Sequence, residues 1–543
     1  MAAIGSGARF DQLAIGRNSS ICFSDPAEGA ETEDAAVLSR RAFLRTSGQF
    51  AGSAMIAGTM GPAEASEDPS YLPASELLTR FRAGQLTPSD VLEAQIRRIE
   101  DLNEKVNCIT YSHFDEARAA ARESDRRYLT GNPRPLEGIT VAVKDEYPVK
   151  GWVTTMGSLL LEDAPADRED SPVIERLRQA GAVFHIQTTV PEFYVWMTTA
   201  TRLWGVTRDP WNLAYSPGGS SGGSGAALAA GFASLALGSD MGGSIRIPAS
   251  QCGLYGFKPP FGRVPTSEVP YESEGPMART FDDLNLLTQA MVGPHPRVHS
   301  SLRPRLEFPS TYEAVQGWKI AYDPVPGLTP LEPAVREAME GAVARLKALG
   351  VTVEPVDLGF SAAGLETFLA GLFSTSMGAM LTEAAKMPDR LTPYTRSVIA
   401  RVHADLGPDA LVAAEALLDR YHGAVQEKVF TRGFRALIMP TLGTPLIPAD
   451  HGLHPDTDSV TIDGRKIMGL SFAATWPWNL LGRYPVVSAS VGIGPEGMPM
   501  GMQIVADTFD DVSAFQLASS YARAAPPLFA GSAFPDFRNR PAP

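Results

Sequence analysis

Residues 215–259 read YSPGGSSGGSGAALAAGFASLALGSDMGGSIRIPASQCGLYGFKP. The stretch is rich in glycine and serine, as flexible linkers are, but an Ala/Leu-rich block lies in its middle and a second Gly-Gly-Ser turn follows. A linker would contain neither feature. The pattern therefore predicts a loop of defined shape, a buried helix and a second loop of defined shape.

Helix signals mark the region near residue 90. Thr87 suits an N-cap, Pro88 the first helical position and Asp90 the acidic first turn, while Gly84 suits the end of a preceding helix. Apolar residues then recur at helical spacing, namely Val91, Leu92, Ile96, Ile99 and Leu102. This stripe predicts a surface helix that faces a core.

Strand and helix patterns alternate along the rest of the chain. Short apolar or β-branched runs predict strands at 136–143, 182–189, 436–439 and 486–491. Helical patterns extend to Arg126 and recur at 338–349 and 411–421. Interleaved strands and helices indicate an α/β protein. No internal repeat divides the chain, and the Pro-, Ser- and Arg-rich residues 293–310 predict a surface loop.

The composition is that of an ordinary globular protein, with 44% apolar and 20% charged residues among 543. A net charge of −14 excludes non-specific nucleic-acid binding, which needs basic surface to neutralise phosphates. No apolar run reaches the roughly 18 residues of a membrane-spanning helix, so we expect no membrane span. The three cysteines, Cys22, Cys108 and Cys252, are too scattered for a disulfide framework or a zinc site, and H-E-x-x-H is absent. We therefore expect no metal.

The N-terminal residues have the layout of an export signal. Residues 39–45, SRRAFLR, form a twin-arginine pattern, a mildly apolar region covers 48–61, and Ala-Glu-Ala at 63–65 resembles a cleavage site. We expect residues 1–65 to be an N-terminal extension and signal peptide that is removed. The mature protein, 66–543, would then be exported to the periplasm.

Lys144 is a candidate for chemistry. The chain has 47 lysines and arginines, of which only nine are lysines, and Lys144 ends the apolar run 141–143. A solvated charge at this position could have been arginine, so we expect Lys144 to be partly buried. Burial disfavours the charged ammonium and so favours a lysine that acts as a base. An ion pair with Asp145 or Glu146 is the alternative, which the spacing alone leaves open.

The two glycine loops offer hydroxyl groups that such a base could serve. Ser244 follows Met241-Gly242-Gly243, where successive backbone N–H groups can converge into a nest for an oxyanion. Ser244 is therefore the candidate nucleophile. Ser220 offers a second hydroxyl that could carry a proton between Ser244 and a lysine too distant to reach it directly.

Other glycine-loop motifs fit less well. A phosphate-binding loop needs Gly-Lys-Ser/Thr where residues 224–226 are Ser-Gly-Ala, and residues 223–228 lack the last glycine of a dinucleotide fingerprint. No serine precedes a lysine by three positions, as a β-lactamase-type S-x-x-K would require. Residues 219–223 match the G-x-S-x-G elbow of a Ser-His-Asp hydrolase, with downstream histidines His403, His422 and His451. However, the turn-like residues 211–217 stand where a strand should precede the elbow.

Four blocks resemble the amidase signature family: GITVAVKD at 138–145, GGSSGGSGAAL from 218, GGSIRIPA at 242–249 and GFKP at 256–259. Weaker similarity returns at 439–441 and 479–506. The blocks occur in the family's order and span most of the mature chain. The resemblance implies one large α/β domain in which a mixed β-sheet lies between helical layers.

The resemblance also implies a Ser-cisSer-Lys triad. In it Ser244 is the nucleophile that forms the acyl-enzyme, Ser220 is the bridging serine after a cis peptide bond from Gly219, and Lys144 is the base. Neutral Lys144 would take a proton through Ser220 while Ser244 attacks the carbonyl, and the amine would leave with a proton from the same relay. Water would then release the acid, and no cofactor is required.

Backbone amides of the second loop would form the oxyanion hole in this family, and they belong to Met241, Gly242, Gly243 and Ser244. Residues 186–189 depart from the family pattern, since Ile-Gln-Thr-Thr replaces Gly-Lys-Thr-Asn. This departure affects local packing and the substrate rim rather than the triad.

Aromatic and apolar residues are candidates for a substrate pocket, namely Phe193, Tyr194, Trp196, Met197 and Trp476. Aromatic residues at such positions are also typical of plain core, which is the alternative.

The leading hypothesis is therefore an exported hydrolase of small-molecule amides. Preference for carbamates, esters or C-terminal peptide amides is the alternative within the family. A binding protein without catalysis needs neither the lysine nor two serines, so it is disfavoured. An amidotransferase subunit with a cytoplasmic RNA partner conflicts with the export signal. A homodimer is the assembly we consider.

Overall fold

The computed structural model describes residues 68–266, 269–402, 406–530, 533–535 and 537. The predicted twin-arginine pattern at 39–45, the predicted cleavage site at 63–65 and His403 lie outside the described residues.

The described residues contain fifteen strands: β1 (Ile109–Ser112), β2 (Thr140–Lys144), β3 (Val183–Thr188), β4 (Ala200–Thr201), β5 (Gly205–Val206), β6 (Leu235–Asp240), β7 (Tyr255–Lys258), β8 (Ser273–Ala278), β9 (Lys319–Tyr322), β10 (Thr352–Pro355), β11 (Ala436–Pro440), β12 (Ser459–Ile462), β13 (Arg465–Met468), β14 (Val486–Ile493) and β15 (Pro499–Val505).

The same part of the chain contains fourteen α-helices: α1 (Ala74–Arg82), α2 (Pro88–Val106), α3 (Phe114–Leu129), α4 (Pro172–Ala180), α5 (Gly222–Ala229), α6 (Arg246–Gln251), α7 (Phe281–Met291), α8 (Pro333–Ala348), α9 (Gly364–Phe373), α10 (Ser376–Ala384), α11 (Pro393–Val402), α12 (Pro408–Lys428), α13 (Pro477–Leu480) and α14 (Asp511–Ala524). None of these described helices is long and apolar enough to cross a membrane.

One mixed sheet of eleven strands organises the molecule, in the order β1-β3-β2-β6-β8-β7-β14-β15-β11-β9-β10. The neighbours β3, β2 and β6 run parallel, as do β11, β9 and β10, while the remaining pairs are antiparallel. Parallel neighbours need crossover connections, which α4 and α5 supply between β2, β3 and β6.

Apolar side chains fill both faces of the sheet because successive residues of a strand point to opposite sides. In β2, Val141 and Val143 pack into the core with α1, α4 and α7, whereas Ala142 packs against α5 on the other face. Leu237 and Ala236 of β6 divide between the same two cores. The mixed sheet between helical layers is the predicted fold.

The predicted start of α2 is confirmed. Thr87 accepts a hydrogen bond from the Asp90 amide, the Asp90 carboxylate accepts one from the Thr87 amide, and Pro88 is the first helical residue. This capping box satisfies amide groups that would otherwise lack acceptors. Gly84 follows α1 with a left-handed φ of 67°, which glycine adopts without steric cost.

The opening stretch differs from its prediction in one respect. The Ala-rich block forms α5 as expected, but Gly231, with φ 72°, ends the helical region, and residues 235–240 form strand β6. β6 pairs with β2 and β8, so sheet pairing decides its conformation rather than local helix propensity. The predicted strand 136–143 is shortened, because Gly138, with φ 78°, interrupts it before β2.

Candidate active site

Lys144 is the last residue of β2 and is fully buried. It lies two residues after Ala142, so the pleat directs it to the face on which α5 packs. Its Nζ lies 2.8 Å from Ser220 Oγ. The strand therefore carries the predicted base to the predicted bridging serine.

Ser220 lies in the tight loop that precedes α5, and the peptide bond between Gly219 and Ser220 is cis. Only glycine fits at position 219, because a Cβ there would lie 2.8 Å from the backbone of Met197 and Thr198. The same loop packs closely at Gly222, where a Cβ would lie 2.2 Å from Thr199 Oγ1. Close backbone approach thus explains the glycines of this loop.

Ser244 lies between β6 and α6 and is 8% exposed, against 1% for Ser220. Among the described residues, no hydrogen bond joins the hydroxyls of Ser220 and Ser244. Their loops are linked through the backbone, since the Ser221 amide donates to the Ser244 carbonyl at 3.3 Å. Catalytic hydrogen bonds are often long before substrate binds, and the outer hydroxyl is the one a substrate can reach.

The oxyanion-hole prediction needs a correction at Gly243. The Gly243 amide donates to Asp240 Oδ1 at 2.8 Å, so it is already used. The amides of Met241, Gly242 and Ser244 have no protein acceptor within the described ranges. The Gly242 carbonyl accepts from Thr475 Oγ1 at 2.5 Å, which fixes the orientation of this loop. Three amides of the loop therefore remain for an oxyanion.

A buried ion pair holds the second loop in shape. Asp240 and Arg246 lie 2.8 Å apart with no exposed side-chain surface. Burial opposes ionisation of Asp240, but Arg246 outweighs it and lowers the pKa of this carboxyl to about 2. Arg246 also donates to Asn479 Oδ1 and to Gln503 Oε1, so α13 and β15 are joined to the loop.

Lys144 has charged and polar neighbours besides Ser220. Its Nζ lies 2.8 Å from Glu146 Oε2 and donates to Ser239 Oγ at 2.7 Å. The ion pair with Glu146, which the sequence left open, thus exists together with the contact to Ser220. Ser239 was not predicted, although its position directly before Asp240 in the second glycine loop could have indicated it.

Asp145 points away from this cluster. Its carboxylate accepts from the Thr155 amide and from Gln187 Nε2, both at 2.9 Å. Burial raises the pKa of Asp145 to about 7, although hydrogen bonds from Thr155 oppose the shift. Gln187 belongs to the segment that departs from the family pattern, so this departure touches the residue next to Lys144.

An apolar pocket opens beside Ser244. It is lined by Tyr194, Val195, Trp196, Met197, Met241, Gly242, Ser244, Leu365, Phe368, Leu369, Leu372, Phe373, Met377, Leu470 and Trp476. Tyr194, Trp196, Met197 and Trp476 were predicted for such a pocket. Phe193 does not line it and is buried in the neighbouring core instead.

Helices α9 and α10 supply six of the lining residues, which the sequence analysis missed. The signal was present, because residues 364–373 read GLETFLAGLF, with apolar side chains at helical spacing. Such a pattern marks a buried helix face. It does not say which face of the molecule the helix covers.

The arrangement of a Ser-His-Asp hydrolase does not form around the G-x-S-x-G motif. Ser221 Oγ hydrogen-bonds to the backbone of Ser239, at 3.3 Å. His451 accepts from Trp196 Nε1, and His422 contacts Tyr484. Neither of these described histidines hydrogen-bonds to a serine of the glycine loops.

Comparison with known proteins agrees with this geometry. The Amidase family model matches residues 90–514. The chain belongs to the amidase family. It hydrolyses carbon–nitrogen amide bonds, as this family does.

Curated relatives align with this amidase over most of its length. AmiB2 of Mycobacterium tuberculosis, which is named as an amidase, is 33% identical over 456 residues, covering 82% of this chain and 94% of that protein. A glutamyl-tRNA(Gln) amidotransferase protein of Synechococcus sp. is 32% identical over 473 residues, covering 82% of this chain and 95% of that protein.

Solved structures with the same fold include a bacterial aryl acylamidase of the amidase signature family, with a TM-score of 0.76, 28% identity and coverage of 84% of this chain and 96% of that one. A 6-aminohexanoate cyclic dimer hydrolase has a TM-score of 0.75 and 28% identity, covering 87% of the amidase and 100% of the hydrolase.

Proposed function

We propose that the amidase uses Ser244 as its nucleophile, Ser220 as a proton relay and Lys144 as its base. The observation that carries this proposal is the 2.8 Å contact between Lys144 Nζ and Ser220 Oγ beside the exposed Ser244. A buried lysine in contact with a serine hydroxyl can exchange a proton with it. Ser244 alone of these three faces the pocket.

The proposed acylation step transfers two protons and forms one covalent bond. Neutral Lys144 Nζ takes the proton of Ser220, Ser220 takes the proton of Ser244, and Ser244 Oγ bonds to the carbonyl carbon. The oxyanion accepts hydrogen bonds from the free amides of the second loop. When the C–N bond breaks, the proton held by Lys144 returns through Ser220 to the leaving nitrogen. Water then attacks the ester along the same relay and releases the acid.

We also propose that the substrate carries an uncharged, apolar group next to its scissile amide. None of the residues that line the pocket is charged, and most are Leu, Met, Phe or Trp. A charged group would lose its hydration there without gaining a partner. For the same reason the pocket is poorly suited to glutamine, with its charged amino and carboxylate groups, as an ammonia donor.

Labelling with an alkyl fluorophosphonate tests the assignment of Ser244. Such a probe bonds covalently to an activated serine, so intact-mass analysis should find one adduct on the wild type and none on Ser244→Ala. Hydrolysis of 4-nitroacetanilide should fall by at least about 10⁴-fold in the same variant. Ser490→Ala, which removes a hydroxyl bonded to the backbone of β14 and β15, is the matched control and should label normally. An adduct on Ser244→Ala would disprove the assignment.

A substrate panel tests the apolar-group proposal. We expect anilides with neutral alkyl or aryl acyl groups to be hydrolysed faster than size-matched anilides with carboxylate or ammonium groups. The matching esters and carbamates, C-terminal peptide amides and glutamine complete the panel. Faster turnover of the charged members would contradict the proposal, and ester or carbamate preference would redirect it.

We propose, finally, that the protein is exported through the twin-arginine route, because residues 39–45 and 63–65 have the required order. Replacing Arg40 and Arg41 by lysine should leave the chain in the cytoplasmic fraction of a bacterium that has this route. Arg45→Lys, which keeps the twin arginines, is the control. Unchanged periplasmic accumulation of the double variant would contradict the proposal.

A further inference from the structure

We infer that Glu146 is a positioning residue of the active site, whose carboxylate stabilises the proton-bearing form of Lys144 and so sets the pH above which Lys144 acts as a base. The inference rests on the proposed role of Lys144 as that base. Glu146 touches neither substrate nor the reacting atoms in this role. It acts through the lysine.

A tight turn brings Glu146 to the lysine. The Glu146 amide donates to the Lys144 carbonyl at 2.6 Å, the contact of residue i+2 with residue i that closes a γ-type turn. The chain therefore folds back at the end of β2, and the Glu146 carboxylate reaches Lys144 Nζ at 2.8 Å. Asp145, between them, points in the other direction toward Thr155. The spacing selects Glu146 rather than Asp145 as the partner.

Ser239 fixes the pair in one geometry. Its hydroxyl donates to Glu146 Oε2 at 2.5 Å and its oxygen accepts from Lys144 Nζ at 2.7 Å. The three groups thus form a closed triangle at the end of β6. The side chains of Lys144 and Glu146 are 0% and 3% exposed, so water and salt screen their attraction very little. A buried pair held by a further hydrogen bond keeps its geometry.

The other ionisable groups near the pair are directed elsewhere. Asp145 bonds to Thr155 and Gln187, and Asp240 is paired with Arg246. The Tyr194 ring lies 5.1 Å from Lys144 Nζ, a cation–π distance that also favours the ammonium form. Glu146 is thus the carboxylate in direct contact with Lys144, and it dominates the local field.

This contact has two consequences for the reaction. In the resting pair the ammonium of Lys144 donates to Ser220, so Lys144 must first lose a proton to solvent before it can accept one from Ser220. Once acylation starts, the returning ammonium lies beside the Glu146 carboxylate, which lowers the energy of the charged transition state. Glu146 stays ionised throughout, and no net proton passes to it.

The pH dependence of Ser244 labelling by an alkyl fluorophosphonate, measured on wild type and Glu146→Gln, tests the inference. Glutamine keeps the size of the side chain but removes the charge. We expect the rise in the labelling rate to move to lower pH by about 1 to 3 units, the usual effect of one close opposite charge. We expect the plateau rate above this rise to fall severalfold, because a less basic lysine removes the proton less effectively.

Glu137→Gln is the matched control. Glu137 is a buried carboxylate paired with Arg134 at 2.6 Å, just before β2, and its substitution should leave the pH profile in place. Glu146→Asp, which keeps the charge but withdraws it by one methylene, should show a smaller shift in the same direction. This variant also decides the question if Glu146→Gln does not fold.

Profiles of Glu146→Gln or Glu146→Asp that coincide with the wild type, or that move to higher pH, would overturn the inference. The outcome is separable from the triad assignment. If Ser244→Ala cannot be labelled while the Glu146 profiles are unchanged, only the role of Glu146 fails. If Ser244→Ala is still labelled, the proposed function fails first.

Discussion

The two sides of the pocket are built on opposite physical principles. On one side the ends of β2 and β6 carry Lys144, Ser239 and Asp240, which are buried and tied by hydrogen bonds. On the other side α9 and α10 present apolar side chains that contact each other by packing alone. We call the first the polar side and the second the helical wall.

The difference separates chemistry from substrate choice. Hydrogen bonds and ion pairs depend steeply on distance and angle, so a change on the polar side removes a step of the reaction or destabilises the fold. Apolar packing is non-directional, so a change in the helical wall alters the shape of the pocket while the reaction continues. Substitutions on the two sides should therefore have different signatures.

The largest effect is expected at Lys144 on the polar side. Lys144→Ala should lower kcat for 4-nitroacetanilide by about 10³-fold, within the range for loss of a general base, with little change in KM. Lys150→Ala, at an exposed lysine six residues later, is the control and should behave like the wild type. A kcat within a few-fold of the wild type in Lys144→Ala would remove the basis for separating the two sides.

Asp240→Asn should have the next largest effect, and on stability. It leaves Arg246 buried without its counter-charge, which should lower the free energy of unfolding by about 3 to 5 kcal/mol. Denaturant unfolding followed by circular dichroism measures this change. Asp463→Asn, in an exposed pair 3.6 Å from Arg336, should cost no more than about 1 kcal/mol. Equal losses in both variants would contradict the structural role of the buried pair.

Asp145 should make the polar side sensitive to pH. Because its pKa is raised from 3.8 to about 7, the folded state holds a proton that the unfolded state releases between these values. The stabilising contribution is fully present below about pH 4 and is lost as pH rises through about 7, by on the order of 2 kcal/mol.

The unfolding free energy of wild type and Asp145→Asn, measured from pH 4.5 to 8, isolates this contribution. The advantage of the wild type over the variant should shrink as pH rises. The opposite trend would mean that hydrogen bonds from Thr155 and Gln187 keep the Asp145 carboxylate ionised.

The smallest effect is expected in the helical wall. Leu369→Ala should lower kcat/KM for an anilide with a long alkyl or aryl acyl group by about tenfold, because apolar contacts in a pocket are worth about 1 to 3 kcal/mol. 4-Nitroacetanilide, with its small acetyl group, should be hydrolysed almost as before. Val412→Ala, at an exposed side chain of α12, is the control. Equal losses for both substrates would place Leu369 with the polar side instead.

Much of the polar side could be predicted from the sequence because its groups lie in short segments with strict local requirements. The glycines at 219 and 243 leave no room for a Cβ, and the strand pattern around Lys144 fixes the face on which it lies. Such requirements act within a few residues. They are visible in a single chain, and they gave the mixed α/β fold, the amidase family and the candidate triad.

Other features depend on residues that are far apart along the chain. Sheet pairing makes residues 235–240 a strand, the Asp240 contact removes the Gly243 amide from the oxyanion hole, and the packing of α9 places Leu369 beside Ser244. Lys144 likewise acquires Ser220 and Ser239 as neighbours only when β2 and β6 pair. The sequence by itself determined the reaction class, because the reacting groups carry local constraints. The tertiary structure decided which partners surround Lys144 and which residues line the pocket, because long-range register and helix packing bring those groups together.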